Sequence, residues 1–106
     1  MPVNTELDIL YLEAAKKGDL AAIQKVINEV NVNARDESGR SALHFAATGG
    51  FADVIEEIFL AGMPWNAVDF SGKTAGEAAE EAGHLEVYQQ ILDQGVRAEL
   101  ILNILQ

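Results

Sequence analysis

"GRSALHFAATGG", residues 39–50, decides the fold. Alone, it sets a histidine, His44, in a run of small and apolar side chains. Beside "GKTAGEAAEEAG", residues 72–83, it becomes one copy of a repeat. Gly50 and Gly83 lie 33 residues apart, as do Gly39 and Gly72, Asp36 and Asp69, Asn33 and Asn66, and Gly62 and Gly95. Gly18 precedes Gly50 by 32, which places a one-residue deletion near Val30 in the first copy. A fixed period of this length marks a stacked-repeat architecture.

The apolar pattern keeps the same register. Ala22, Ile23, Val26 and Ile27 match Val54, Ile55, Ile58 and Phe59, and then Val87, Tyr88, Ile91 and Leu92. Spacing i, i+1, i+4, i+5 is the broad stripe of an amphipathic helix. A shorter, Ala-rich helix precedes each recurring glycine, and its small side chains allow close approach of neighbours. Gly18, Gly50 and Gly83 supply left-handed turns between the paired helices, and Gly62 and Gly95 are expected to end the second helix of their units. Thr5 with Asp8 and Thr74 with Glu77 read as capping boxes. "ARDESGR" and "VDFSGK" are turns, each with Asp-x-x-Gly at its tip.

Composition narrows the function. The chain has 106 residues, a length that suits one domain, and 49% of them are apolar, which is enough for a core. Its formal net charge of −10 argues against general nucleic-acid binding and against docking on anionic lipid. It has no cysteine, so a disulfide framework, a thiolate nucleophile and a Cys-type metal site are excluded. The first residues lack the pattern of a secretory signal, and no apolar run reaches the ~18 residues of a membrane span. A soluble protein of the cytoplasm, the nucleus or both is expected.

With "SALHFAA" standing where Thr-Pro-Leu-His-x-Ala is usual, the pattern resembles the ankyrin repeat family. Gly39, Leu43, His44, Ala46, Ala47, Gly50, Val54, Gly62, Asn66 and Ala67 carry the likeness. It implies an all-α helical solenoid in a single domain over residues 1–106. Three helix-turn-helix units are expected at about 5–35, 36–68 and 69–95, with short hairpin loops and a C-terminal capping helix over 96–105. The first unit lacks a leading hairpin and reads as an N-terminal cap. Residues 62–102, with Trp-Asn-Ala-x-Asp, Thr-Ala-Gly and Val-Arg-Ala-Glu-Leu, further resemble the ankyrin region of the fungal and plant-type arginine N-methyltransferase 2 family. That likeness implies a docking or regulatory module beside a catalytic domain.

The family resemblance also gives His44 a role, as a hydrogen-bonding peg between a turn and a neighbouring unit. The chemical alternative lacks partners. The other histidine, His84, sits in a Gly-His turn, and no His-x-x-x-His, Glu-x-x-His or cysteine pair accompanies either ring. Phosphate loops, nucleophile elbows and dinucleotide fingerprints are missing as well. Glu56/Glu57 and Glu77/Glu80/Glu81 could be imagined as acid–base pairs, but the first two fall on the solvated back of their helix. No catalytic residue, metal site or cofactor is assigned, and the chain is not expected to be an enzyme.

Repeat stacks bind other proteins on a concave surface of hairpin tips and first helices. That register makes Lys16, Lys17, Arg35, Glu37, Ser38, Arg40, Thr48, Val68, Phe70, Ser71, Lys73 and Glu81 the candidate partner-binding residues. Five of them are cationic, which suggests a partner acidic at the contact, unless these side chains only solubilise the tips. Phe70 at a tip is either an interface anchor or a ring folded back over Trp65 or Val68. Trp65 and Gly76 both depart from the family pattern, and the indole is expected to fill the volume that Gly76 leaves. The apolar residues of Val96–Leu105 are expected to meet a following domain or a second copy of the chain.

Overall fold

The computed structural model describes residues 5–105. Six helices follow one another among them: α1 Glu6–Lys17, α2 Leu20–Val26, α3 Ala42–Gly49, α4 Ala52–Leu60, α5 Ala75–Glu81 and α6 Leu85–Leu105. They pair in sequence, and the pairs lie side by side. α1, α3 and α5 make one row, and α2, α4 and α6 make the other. Two hairpins project between the pairs, each closed by one antiparallel bridge, Arg35 to Ser41 and Val68 to Thr74.

The inner row is close-set because its contacts are small. Ala14 and Ala15 in α1, Ala46 and Ala47 in α3, and Ala79 in α5 are all buried. The second row brings the bulk: Ile23, Val54, Ile55, Ile58, Val87 and Ile91 form one continuous interior with Tyr11 and Leu43. Tyr11 is fully buried, and its hydroxyl donates to the Val32 carbonyl at 3.2 Å. Burial, and then the neighbouring Asp8 carboxylate, push this phenol well above its ordinary pKa, so it stays a neutral donor.

Neighbouring units also meet through rings laid on glycine backbone. The Phe51 ring covers Gly18, and the His84 ring covers Gly50, where an added Cβ would come within 2.7 Å of His84 Nδ1. Phe70 covers Gly39 at the hairpin tip in the same way. One unit earlier, the ring positions hold Asp19 and Glu37. Asp19 caps α2 by accepting the Ala22 N–H at 3.1 Å, and Glu37 is exposed. At the other end, Glu80 is exposed where α3 has buried Ala47. Carboxylates thus stand at both edges of the described stack.

Three sequence expectations need correction. α6 is one helix of 21 residues, continuous from the third unit through the segment assigned to a separate C-terminal helix, and Gly95 lies inside it rather than at its end. Trp65 does not fill space at Gly76. The indole rests on Gly95, where a Cβ would meet Cε2 at 2.8 Å, whereas Gly76 faces Ile91 at 3.6 Å and Tyr88 at 4.0 Å. Thr5 caps α1 by accepting the Asp8 N–H, but the Asp8 side chain does not return the bond; it accepts the Asn31 N–H at 3.1 Å and ties α1 to the following loop. The Thr74–Glu77 box does form in both directions.

These contacts separate two glycines that look alike in sequence. Gly95→Ala forces the indole aside and should destabilise the protein by ~1–3 kcal/mol, with a change in Trp65 emission. Gly76→Ala meets only ordinary van der Waals neighbours and stiffens the unfolded chain, so it should stabilise by ~0.5–1 kcal/mol. Chemical denaturation followed by fluorescence measures both.

Candidate functional site

His44 is buried, and both its ring nitrogens are used inside the fold. Nε2 lies 2.9 Å from the Lys73 carbonyl in the next hairpin, so it carries the proton and donates. Nδ1 then accepts from Ser41, whose hydroxyl is 2.8 Å away and whose backbone N–H is 3.3 Å away. Ser41 Oγ in turn accepts the His44 N–H, which closes a capping box at the start of α3. Desolvation, the largest influence, holds the imidazole below its ordinary pKa of 6.5. Among the described residues, no group of three or more His, Cys, Asp or Glu side chains is placed to hold a metal ion.

The second hairpin is fixed from within by Asp69. Its Oδ1 accepts the Ser71 hydroxyl at 2.6 Å and the backbone N–H groups of Ser71 and Lys73 at 2.9 Å. The Ser71 hydroxyl, first, and the Lys73 N–H lower this carboxyl to about 2. Asp36 braces the first hairpin with its own Oδ1, accepting from Ser38 and Arg40 N–H at 2.9 Å. Both tips are therefore preset surfaces.

The candidate partner-binding residues lie along these tips and the inner helices, but several also serve the fold. Arg35 is half-buried. Its Nη1 donates to the Gly39 and Val68 carbonyls at 2.9 and 2.8 Å, and its Nε donates to Asn33. Lys16 pairs with Glu13 at 3.1 Å and stands 4.8 Å above the Phe45 ring, with Arg40 at 5.8 Å from the same ring. Lys73 pairs with Glu81. Thr48 is exposed, and its hydroxyl donates to the His44 carbonyl. Ser71 serves Asp69, and the Ser38 carbonyl accepts the Phe70 N–H. Lys17, Glu37, Ser38, Val68, Ser71 and Glu81 are exposed. Phe70 is 78% exposed, and its ring lies against the Gly39 backbone. His84 is half-buried against Gly50.

The expected basic front is thus muted. Lys16 and Lys73 are neutralised by glutamates, and the Arg35 guanidinium serves carbonyls. The reading from sequence also missed Phe45, whose ring takes Lys16 and Arg40, and an open cleft of about 370 Å³ that Lys16 helps to line. Ile9, Leu12, Glu13 and Lys16 of α1 line that cleft with Arg35, Asp36 and Glu37 of the first hairpin.

Protonating His44 opposes its Nδ1 contacts. Because its folded pKa is depressed, the unfolded chain binds more protons between that value and 6.5, and stability is lost as pH falls through this window. Thermal melts from about pH 7.5 to about pH 5.5 should fall more steeply for the wild type than for His44→Gln, whose amide does not titrate.

Comparison with known proteins joins this geometry to a family. A family model described as ankyrin repeats (3 copies) matches residues 11–101. The chain is also similar to protein arginine N-methyltransferase 2 of Cryptococcus neoformans, 39% identical over 64 residues, which is 60% of this chain and 18% of that protein. The proteins of the same name from Aspergillus fumigatus and Gibberella zeae are 41% and 38% identical over 49% and 50% of the chain. The matched stretch is 12% of each of those two, so the chain spans a small part of the length of these relatives. Matching over most of its length, the chain belongs to the ankyrin repeat family.

Proposed function

We infer that this chain binds another protein through its hairpin tips and concave helix face, and that it performs no chemistry itself. Ankyrin repeats are protein-interaction modules, and the observation that supports this surface is the division of labour between ring positions. Phe51 and His84 are half-buried between units, whereas Phe70, which has the same role at the tip, leaves most of its ring in solvent. A preset tip with an exposed aromatic costs little order to bind. An acidic partner was suggested by the five cations; their use inside the fold removes most of that argument, and the overall charge of −10 favours a basic one. A chain without cysteine suits work in the cytoplasm or nucleus.

A second reading rests on the relatives. Each is named a protein arginine N-methyltransferase 2. The repeats then serve as an N-terminal docking or regulatory region beside a catalytic domain. The outer turns of α6 favour it: Val96, Leu100, Ile101, Ile104 and Leu105 are all more than half exposed. Such a surface suits cover by a domain or by a second chain.

Affinity capture from the source cell separates these readings. With Phe70→Ala the captured protein should bind about 30-fold more weakly, the loss of one interface anchor of ~2 kcal/mol. Thr48→Arg should weaken the same partner, while Glu56→Arg on the back should not. Capture indifferent to both front variants removes the concave-face reading. A natural reading frame continuing into a strand–loop–helix domain favours the second.

A further inference from the structure

The repeat presents one aromatic place twice, once filled and once open. Between the first and second units it is filled by Phe45, with the Lys16 ammonium 4.8 Å and the Arg40 guanidinium 5.8 Å from the ring centre. Moved one repeat along, Phe45 becomes Ala78, Lys16 becomes Thr48 and Arg40 becomes Lys73. These three line an open pocket of about 230 Å³ between the second and third units, together with Arg40, Glu81 and Ala82. A methyl group therefore stands where the preceding groove holds a phenyl ring, and the open volume lies over it. Arg40 belongs to both places: it stands over Phe45 and also lines the pocket. Arg35 serves carbonyls, and Lys16 and Lys73 pair with glutamates. Among the described residues the Arg40 guanidinium joins no ion pair and donates no hydrogen bond.

We propose that the pocket over Ala78 receives an aromatic side chain, a phenylalanine or tyrosine, from a partner protein. The proposal rests on the protein-binding reading above and names what the concave face takes. The filled groove defines the occupant. The incoming ring rests on the Ala78 methyl group and takes the Arg40 guanidinium against its face. Lys73, held by Glu81, flanks it as Arg40 flanks Phe45. A cation gains from the negative face of a ring and gains nothing from a leucine, so the two cationic walls select for aromatic character. A carboxylate is a poorer fit, because Glu81 already stands at the same wall and neutralises Lys73. A lone ammonium or guanidinium would meet two like charges. About 230 Å³ falls below the ~300–1,000 Å³ of sites that enclose a whole small ligand, which suits one side chain of a longer segment. A ring also makes no demand on net charge, so the site agrees with the basic partner that a protein of −10 favours.

The test selects peptides from a random-sequence phage library on the purified 106-residue chain and screens them again on Ala78→Phe. That variant sets its own ring in the pocket, and the fold accommodates one at the equivalent Phe45; its amide spectrum checks folding. Peptides lost on the variant should share a Phe or Tyr. Titration of one of them should shift the amides of Thr48, Ala78 and Ala82 to saturation, and Ala78→Phe should weaken it at least tenfold. Arg40→Gln, which leaves the pocket open, should cost about fivefold, as should cyclohexylalanine in place of the peptide's ring, the usual worth of one cation–π contact. Glu56→Arg on the back should change nothing. The last two weakenings decide the matter should Ala78→Phe fail to fold. A selection without a common aromatic, binding indifferent to Ala78→Phe or Arg40→Gln, equal affinity of the cyclohexyl peptide, or no peptide retained at all overturns the proposal. Peptides that depend on Phe70 instead would overturn it while leaving the protein-binding reading, and its capture experiment, intact.

Discussion

Everything in this molecule depends on two helix pairs being able to lie almost in backbone contact. A glycine that ends a first helix in a left-handed turn presents a bare Cα, and the next unit sets a flat ring on it. Any side chain there would hold the units apart. The alanines of the inner row then fall within packing distance, and the aliphatic stripe of the outer row closes over them. His44 adds direction to this contact, because a hydrogen bond from α3 to the Lys73 carbonyl fixes how far the next hairpin is turned. Dispersion and burial hold the units together, while the ring and the imidazole set the register.

The same logic explains the residues at the two edges of the described stack. A ring without a glycine to cover is exposed apolar surface, so the first unit places Asp19 and Glu37 in the ring positions. An alanine without a neighbouring helix is wasted burial, so the last unit places Glu80 where Ala47 stood. Each carboxylate is ordinary on its own. Their positions in the repeat give them meaning: each stands where a neighbouring copy has a packed ring or a buried alanine.

Much of this was legible in the sequence because the repeat multiplies each signal. The glycine spacing and the paired apolar stripe both survive translation by one unit. What could not be read were contacts made once. Trp65 and Gly95 occur in a single unit, and Gly95 even aligns with Gly62, which does end a helix, so periodicity pointed the wrong way. The Asp8 side chain looked like a local cap because sequence shows distance along the chain, not the Asn31 N–H folded back against it. The cations of the front looked free for the same reason. Lys73 and Glu81 are eight residues apart in sequence and paired in space. Phe45 escaped notice because its position is unremarkable in the motif and gains importance only when Lys16 and Arg40 converge on its ring.

The unbroken α6 gives the protein a mechanical property. Ten residues beyond Gly95 extend the rod by about 15 Å, and each residue turns its side chain about 100° from the last. With no hinge between them, the azimuth of Ile104 and Leu105 follows from how α6 is seated, by Val87 and Ile91 in the core and by Gly95 under the indole of Trp65. The indole is the last of these seats before the exposed length of the rod. A rotation at that seat would swing the far aliphatic surface through an arc, so the packing of α6 on the third unit sets how that surface is oriented relative to the hairpins.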